Sequence, residues 1–257
     1  MRLGRSMRAL SVALTIIGLM ALWQIICWAG SIPEYILPPP SDILLRMIED
    51  ADSLYRHSLI TLWEVFLGFA MAVVIGIPLA ILLVYSRYIS QSFFPIIVGI
   101  HCVPMVSLAP LLIIWFGFGL LTKVLIAFLI SFFPIVINTT VGLRSMEKEM
   151  LNLAKSLRAS SAQTFLYFRL PKALPSIFGG LKVGITLAIV GAIVAEFVAS
   201  EKGLGYLQLM ANSQLDVTME FAVIFTLGII GIGLFNLVGW IERLSMPWYH
   251  ATRKEAD

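Results

Sequence analysis

The segment LNLAKSLRASSAQTFLYFRLPKALP, residues 151–175, is a long cationic stretch in an otherwise strongly apolar chain. Its first apolar side chains recur every three residues, at Leu151, Ala154 and Leu157, which places them on one side of a helix. Two serines then interrupt the pattern, a second apolar repeat follows, and Pro171 is expected to end the second helix. We therefore predict two short helices that carry apolar side chains and a basic rim.

This segment fits two kinds of surface on physical grounds alone. A helix with an apolar side and a basic rim is typical of a segment that lies on a membrane of anionic lipid. Apolar side chains at helical spacing are equally typical of a helix that inserts into a groove on a soluble partner. The residue types by themselves leave both alternatives open.

The composition of the whole chain indicates a membrane protein. Hydrophobic residues make up 59% of its 257 residues and charged residues only 13%, and the mean hydropathy is +0.93. An ordinary soluble domain is about 25% charged and about 45–50% apolar. A soluble core of this size cannot enclose so much apolar surface, so part of the chain must be dissolved in lipid.

Six apolar segments are long enough to cross a bilayer as helices. They lie at 9–29, 60–84, 93–117, 121–143, 178–199 and 221–241. A cleaved signal peptide is the alternative for the first, but its apolar run is too long and no small-residue cleavage site follows it. The fold class that we predict is an all-α membrane protein with about six transmembrane helices.

The distribution of charge predicts the orientation of these helices. When the N-terminus is placed in the cytoplasm, most lysines and arginines fall in the cytoplasmic segments, and most acidic residues fall outside. This asymmetry is the positive-inside pattern of membrane proteins. It places both termini and the loop at 144–177 in the cytoplasm.

The third apolar segment is interrupted by Pro95, Pro104 and Pro110. Each interior proline frees a backbone carbonyl, which in lipid must be satisfied by protein or by water. This segment is therefore expected to face protein or a water-filled path, and a kinked packing helix is the alternative.

Three charged residues fall within the predicted membrane spans. Glu64 and Lys182 lie near the ends of their spans, so their side chains are expected to reach the interface. Glu196 has a shorter reach and lies among small residues that permit close helix approach. We interpret it as a residue of the outer mouth of a pathway.

Motifs for catalysis or nucleotide binding are not found in the sequence. It contains no G-x-x-x-x-G-K-[ST] loop, no H-E-x-x-H and no G-x-S-x-G, and its three histidines lack metal-ligand spacing. These absences weigh against a membrane enzyme, a bound cofactor or a metal site in this chain. A channel or secondary transporter is a further alternative, but inverted hydropathy repeats are not visible.

The cationic segment resembles the cytoplasmic signature loop of permease subunits of bacterial ABC importers. That signature reads E-A-A, three residues, G, nine residues, I, one residue, L-P. In this chain the corresponding positions are Asn152-Leu153-Ala154, Arg158, Phe168 and Leu170-Pro171. Ala154, Leu170 and Pro171 match, whereas Arg158 replaces the glycine that permits a break between the two short helices.

Further segments resemble the branch of these permeases that is grouped with nitrate, sulfonate and taurine importers. They are LPPPSDIL (37–44), RHSLITLWEVFLGFAMAVVIGIPLAILLVYSR (56–87), PLLIIWFGFG (110–119), FFPIVINTTVGLR (132–144), LPKALPSIFGGLKVG (170–184) and AEFVASEKGLGYL (195–207). The resemblance therefore extends from about residue 35 to the end of the chain.

The resemblance implies a fold and a set of partners. The fold would be that of a type I ABC importer permease, a single domain over 1–257 with an N-terminal helix at 9–29, a core at 56–243 and a cytoplasmic coupling loop at 144–177. It would pair with a second permease, identical or related, in the bacterial inner membrane. Two ATPase subunits would bind the ATP, a periplasmic or lipid-anchored binding protein would deliver the solute, and nucleic acid would play no part.

The resemblance also implies two sets of functional residues. The element that contacts the ATPase would comprise Ala154, Leu157, Arg158, Ala159, Phe165, Leu170 and Pro171. For the translocation pathway, residues in or near the proline-broken span and on the fifth span are expected, namely Pro104, Met105, Ser107, Trp115, Thr186 and Glu196.

The segment GAIVAEFVASEKGLGYL, residues 191–207, resembles permeases that import nitrogenous aromatic nutrients. The expected solute is therefore a compound such as a pyrimidine precursor of thiamine, or riboflavin. A sulfonate, taurine or nitrate is the alternative, although no lysine or arginine lies at mid-membrane to hold an anion.

Overall fold

The computed structural model of the chain describes residues 5–86, 88–89, 91–92, 95–96, 99 and 103–248. Every regular element within these ranges is a helix. Their bounds are α1 Arg5–Ala29, α2 Pro40–Glu49, α3 Ala51–Tyr85, a 3₁₀ turn Met105–Leu108, α4 Ala109–Phe116, α5 Leu120–Arg144, α6 Lys148–Ser156, α7 Ser161–Thr164, a π turn Phe165–Arg169, α8 Leu170–Ala199, α9 Leu204–Ser213 and α10 Val217–Ser245.

Five helical segments of the described chain are long and apolar enough to cross a membrane. They are Leu10–Ala29, Ala51–Tyr85, Leu120–Arg144, Ser161–Ala199 and Val217–Ser245. They confirm five of the six predicted spans and the all-α membrane class. The remaining span, predicted at 93–117, lies partly outside the described residues, and its described end is the 3₁₀ turn followed by the short helix α4.

The prediction that Pro171 ends a helix was wrong. Pro171 is the second residue of α8, which continues a helical segment that already began at Ser161. In the π turn before it, the Leu170 N–H donates to the Phe165 carbonyl five residues back. The backbone hydrogen bonds before Pro171 therefore already span five residues instead of four. The missing N–H of the proline falls at this wider turn, and the helix continues past it.

Helix α5 lies at the centre of the bundle, packed against α3 and α8 at glycines. A β-carbon at Gly191 would lie 2.7 Å from the Cα of Ala127, and one at Gly68 would lie 2.6 Å from the Ala127 β-carbon. Gly142 makes a similar approach to the turn of α8 that holds Ala173. Small residues of this kind let helix backbones meet closely in lipid, where van der Waals packing drives association.

One end of the bundle, which we call the capped end, is covered by the short helices α2 and α9. Their buried side chains form one apolar cluster with the starts of α3 and α10, made of Ile43, Leu54, Leu204, Ala211, Met219, Ala222 and Val223. Arg46 on α2 forms ion pairs with Asp50 at 2.9 Å and with Asp216 at 2.8 Å. These contacts hold α2 against the start of α10.

The opposite end, which we call the loop end, carries α6, α7 and the π turn. Phe165 packs edge-on against Tyr85 at a centroid distance of 6.0 Å, and the Arg169 guanidinium lies 5.1 Å from the centroid of the same ring. Lys172 and Glu147 form an ion pair at 3.2 Å. The loop is therefore fastened to the ends of α3 and α8.

The joint between α6 and α7 has a residue in the left-handed region. Arg158 has φ of 54°, its N–H donates to the Lys155 carbonyl at 2.9 Å, and the Ala159 N–H donates to the Ala154 carbonyl at 3.0 Å. These two bonds form a Schellman motif, which usually has glycine at the left-handed position. The break expected at the signature glycine is thus present although arginine occupies the position.

The second half of the joint is a capping box. The Ser160 hydroxyl accepts from the Gln163 N–H at 3.2 Å, and the Ser160 N–H donates to the Gln163 side chain at 2.8 Å. The serine that interrupts the apolar pattern therefore begins the next helix.

Replacement of Gly191 by alanine should destabilise the fold by about 1–3 kcal/mol, because its methyl group would overlap the backbone of α5. Gly179→Ala on the same helix is the matched control, since a β-carbon there meets nothing within 4 Å. Both changes gain the same helix propensity, so thermal unfolding of the purified variants in detergent isolates the packing effect. Equal melting temperatures would contradict this account of the contact.

At the joint, Arg158→Gly should leave hydrogen exchange of residues 148–164 unchanged or slower. The change removes the cost of about 1–2 kcal/mol that a non-glycine residue has in the left-handed conformation. Against this, the larger backbone entropy that glycine loses on folding costs about 0.5–1 kcal/mol. Arg158→Val should accelerate exchange, because a β-branched residue is strongly disfavoured at positive φ. Mass-spectrometric exchange measurements on both variants test the joint, and faster exchange in the glycine variant would refute it.

Candidate functional site

The seven residues expected to contact an ATPase lie between α6 and the first turn of α8, and they divide into two groups. Leu157 is 65% exposed, and Arg158 beside it is also exposed, whereas Ala154 is only 1% exposed. Ala159 and Pro171 are half-buried. Phe165 and Leu170 pack against the buried cluster of Leu143, Ala173 and Ile177. The second group therefore joins the loop to the bundle.

A row of exposed apolar side chains on this element was missed by the sequence analysis. Met150 and Leu153 lie on one side of α6, and Leu157 continues their helical spacing directly after its last residue. Leu166 and Tyr167 extend the exposed surface. We call these five residues the apolar row. The spacing 150, 153, 157 was visible in the sequence, but the pattern 151, 154, 157 was chosen, and Ala154 of that pattern faces inward.

The residues expected along a pathway lie on the 3₁₀ turn, on α4 and on α8. Pro104, Met105 and Ser107 lie at the 3₁₀ turn, and Trp115 is an exposed residue of α4. Thr186 and Glu196 are separated by about 15 Å of helix, at a rise of about 1.5 Å per residue.

The hydroxyl of Thr186 donates to the backbone carbonyls of its own helix, to Val183 at 2.8 Å and to Lys182 at 3.1 Å. Its polar group is therefore satisfied locally, within α8.

Glu196 is buried at the capped end and holds the start of α9. Its carboxylate accepts from the Thr61 hydroxyl at 2.6 Å and from the Gly205 N–H. The Leu204 N–H donates to the Thr61 oxygen at 2.9 Å. The first N–H groups of a helix have no partner within it, so Glu196 and Thr61 act as its cap from neighbouring helices.

The turn that leads into α9 is shaped around the Glu196 carboxylate. Gly203 has φ of 113°, and a β-carbon at this position would overlap that carboxylate. The Gly203 N–H donates to His57 Nδ1 at 2.9 Å. Glycine is therefore required here both by conformation and by space.

Glu64 and Lys123 form a buried ion pair between α3 and α5 beside this cap. Glu64 is 1% exposed, and the Lys123 ammonium also donates to Ser200 Oγ at 3.1 Å. The expectation that Glu64 reaches the interface was wrong, because its side chain is paired inside the bundle. With Glu196, these residues form what we call the capped-end network.

The expectation for Lys182 was also wrong. Its ammonium forms an ion pair with Glu242 on α10 and lies 5.6 Å from the centroid of the Phe235 ring. The partner side chain and the aromatic ring replace the water that the interface would have supplied.

Lys123→Met should destabilise the fold by about 3–5 kcal/mol, because it leaves a buried carboxylate without its partner. The double variant with Glu64→Leu should recover most of that loss, since two apolar side chains need no partner. Thermal unfolding in detergent of the wild type, both single variants and the double variant measures the coupling. A single variant as stable as the wild type would contradict the assignment of a buried pair.

Comparison with known proteins places the chain in a family. The family model described as "Binding-protein-dependent transport system inner membrane component" matches residues 72–249. The chain is 34% identical over 245 residues to the formylaminopyrimidine transport permease protein of Halalkalibacterium halodurans, covering 95% of this chain and 98% of that protein.

Two further relatives carry other substrate names. The riboflavin transport system permease protein of Chloroflexus aurantiacus is 38% identical over 242 residues, covering 93% of this chain and 90% of that protein. The taurine transport system permease protein of Escherichia coli is 30% identical over 242 residues, covering 91% of this chain and 88% of that protein.

Among solved structures, the inward-facing MetNI methionine ABC transporter matches with a TM-score of 0.67 and 18% identity, covering 76% of this chain and 97% of that chain. This likeness confirms the predicted type I importer permease fold. With relatives that match nearly end to end and a family model that spans most of the helical core, the chain belongs to the family of binding-protein-dependent transport system inner membrane components, the permease subunits of ABC transporters.

Proposed function

We propose that this permease moves a small solute into the bacterial cell by alternating access, driven by ATP hydrolysis on two separate ATPase subunits. The capped end faces outward and receives the solute from a binding protein, and the loop end and both termini lie in the cytoplasm. The chain acts as one domain over 1–257, paired with a second copy or a related permease. The charge asymmetry of the sequence supports this orientation.

The observation that carries the proposal is the apolar row at the loop end. Met150, Leu153 and Leu157 are exposed large apolar side chains at helical spacing. The basic residues Lys155 and Arg158 flank Leu157. An exposed apolar stripe of this kind is typical of a helix that lies in the groove of a partner. In this proposal the ATPase groove receives the apolar row.

The inward-facing residues of the element transmit the movement to the bundle. Phe165 and Leu170 pack against a buried cluster from the ends of α5 and α8. Ala154 is buried, and Ala159 and Pro171 are half-buried. Because packed side chains do not compress, a shift of the apolar row would move the ends of these helices. Leu157 and Arg158 are the members of the predicted set that contact the ATPase directly.

For the solute, we propose a nitrogenous aromatic nutrient such as a thiamine-type pyrimidine precursor or riboflavin. Two relatives whose names carry such compounds are 34% and 38% identical to this chain. A sulfonate, taurine or nitrate is the second candidate, supported by the taurine permease at 30% identity. The pathway residues remain those proposed from the sequence, with Glu196 acting through the cap of α9.

Leu157→Glu should abolish co-purification of the ATPase, because a carboxylate in an apolar groove loses its hydration without a partner. Asn152→Glu is the matched control, since it adds the same charge to an exposed position of α6 outside the apolar row. The tagged chain and both variants would be purified in mild detergent from their native membrane, and co-purifying proteins identified by mass.

Retention of the ATPase by Leu157→Glu would show that the apolar row is not the contact. If no ATPase accompanies the wild type under conditions that preserve other complexes, the chain would work as a channel, a secondary transporter or a membrane enzyme instead. The loop would then be a helix that lies on lipid.

A further inference from the structure

A pocket of about 740 Å³ lies at the capped end, between α3, the linker before α5 and the end of α8. Its wall includes Ile60, Phe118, Leu120, Lys123, Val198 and Ser200. Small-molecule sites are concave spaces of about 300–1,000 Å³ with mostly apolar walls and a few placed polar groups. The pocket has this size and this composition.

The formal charges around the pocket sum to zero. The buried ammonium of Lys123 is matched by Glu64, and Lys202 in the wall is adjacent in sequence to Glu201, which also lines the pocket. An anion that entered would lose water beside carboxylates and would meet no net positive charge to repay that loss. The pocket therefore favours an uncharged solute.

One polar group in the wall retains hydrogen-bonding capacity. An ammonium has three N–H groups, and those of Lys123 have Glu64 and the Ser200 hydroxyl as partners. The third N–H is able to donate to a ring nitrogen or a carbonyl oxygen. Because the pair with Glu64 fixes the ammonium, the direction of this donor is set before a solute arrives.

An aromatic side chain stands at the same pocket with its ring uncovered. Phe118 is 78% exposed and lies between Gly117, at φ of 76°, and Gly119. The Thr122 hydroxyl donates to the Gly117 carbonyl at 2.6 Å, which anchors the base of this short linker. An exposed ring on a glycine-flanked linker is able to stack on a planar solute.

We propose that this pocket is a binding site for an uncharged, planar, nitrogen-containing aromatic solute at the outward end of the permease. Phe118 stacks on the ring and Lys123 donates to an acceptor on its edge. This inference rests on the proposed function and adds a location and a charge preference to it. An anionic solute and a membrane lipid are the competing occupants that the experiment separates.

The test uses the complete transporter in lipid nanodiscs with a reporter thiol at Val198, an exposed residue of the pocket wall. Cys27 and Cys102 are first replaced by serine. The rate of labelling by a membrane-impermeant maleimide is measured with formylaminopyrimidine, riboflavin, methanesulfonate or no addition. We expect at least one of the two aromatic probes to slow labelling, and methanesulfonate, an anion at neutral pH, to have no effect.

Phe118→Ala should raise the half-protecting concentration of the active probe by about three- to tenfold, the loss of one stacking contact. Leu121→Ala is the matched control, an exposed apolar residue three positions along that is outside the pocket wall. It should leave protection unchanged.

Three results would overturn the site: protection by methanesulfonate but not by an aromatic probe, protection by none of the probes, or labelling that is slow in nanodiscs and fast in detergent without any probe. The last would identify a lipid as the occupant. Co-purification of the ATPase is scored on the same preparation, so an unprotected pocket in an intact ATPase complex refutes the site alone. A missing ATPase refutes the proposed function, whatever the labelling shows.

Discussion

Close contact between α5 and α8 is the constraint on which the rest of the bundle depends. In lipid there is no hydrophobic force between helices, so their association rests on packing that only small residues allow. Gly142 and Gly191 provide this approach at the two ends of the contact. Two polar side chains of the enclosed α5 are satisfied within the helix: the Asn138 amide donates to the Pro134 carbonyl at 2.8 Å, and the Ser131 hydroxyl donates to the Ala127 carbonyl at 2.8 Å.

Among the described residues, the charged side chains buried inside this bundle each have a partner. Inside the bundle, α8 carries Glu196 at the capped end and Lys182 nearer the loop end, and both have partners on other helices. A buried ion pair adds little to stability relative to apolar residues, but a buried charge that loses its partner costs about 3–5 kcal/mol of stability. The two sites therefore fix the rotation of α8 about its own axis relative to its neighbours.

Hydropathy and charge were sufficient to predict five of the six spans and the helix–break–helix loop, because both depend on local composition. The contacts of Glu64 and Lys182 were not predictable in this way, since their partners are distant in sequence. Pro171 was misjudged because a π turn accommodates it, and such turns leave no clear pattern in a sequence. The predicted exposed side of α6 began at Leu151 and Ala154, one position after the exposed Met150 and Leu153. Periodicity gives the spacing of the residues on a face, but only the burial of Ala154 shows which face points inward.

The continuous helical segment Ser161–Ala199 has a mechanical consequence. Its 39 residues extend over about 58 Å, nearly twice the hydrocarbon thickness of about 30 Å. The segment thus acts as a single lever. The loop end lies at one end of it, and the hydrogen bond from the Gly205 N–H of α9 to Glu196 lies at the other. A tilt of this segment at its cytoplasmic end displaces its far end in proportion to its length. Helix α9 must then move with it, or the hydrogen bond between Glu196 and the start of α9 must break.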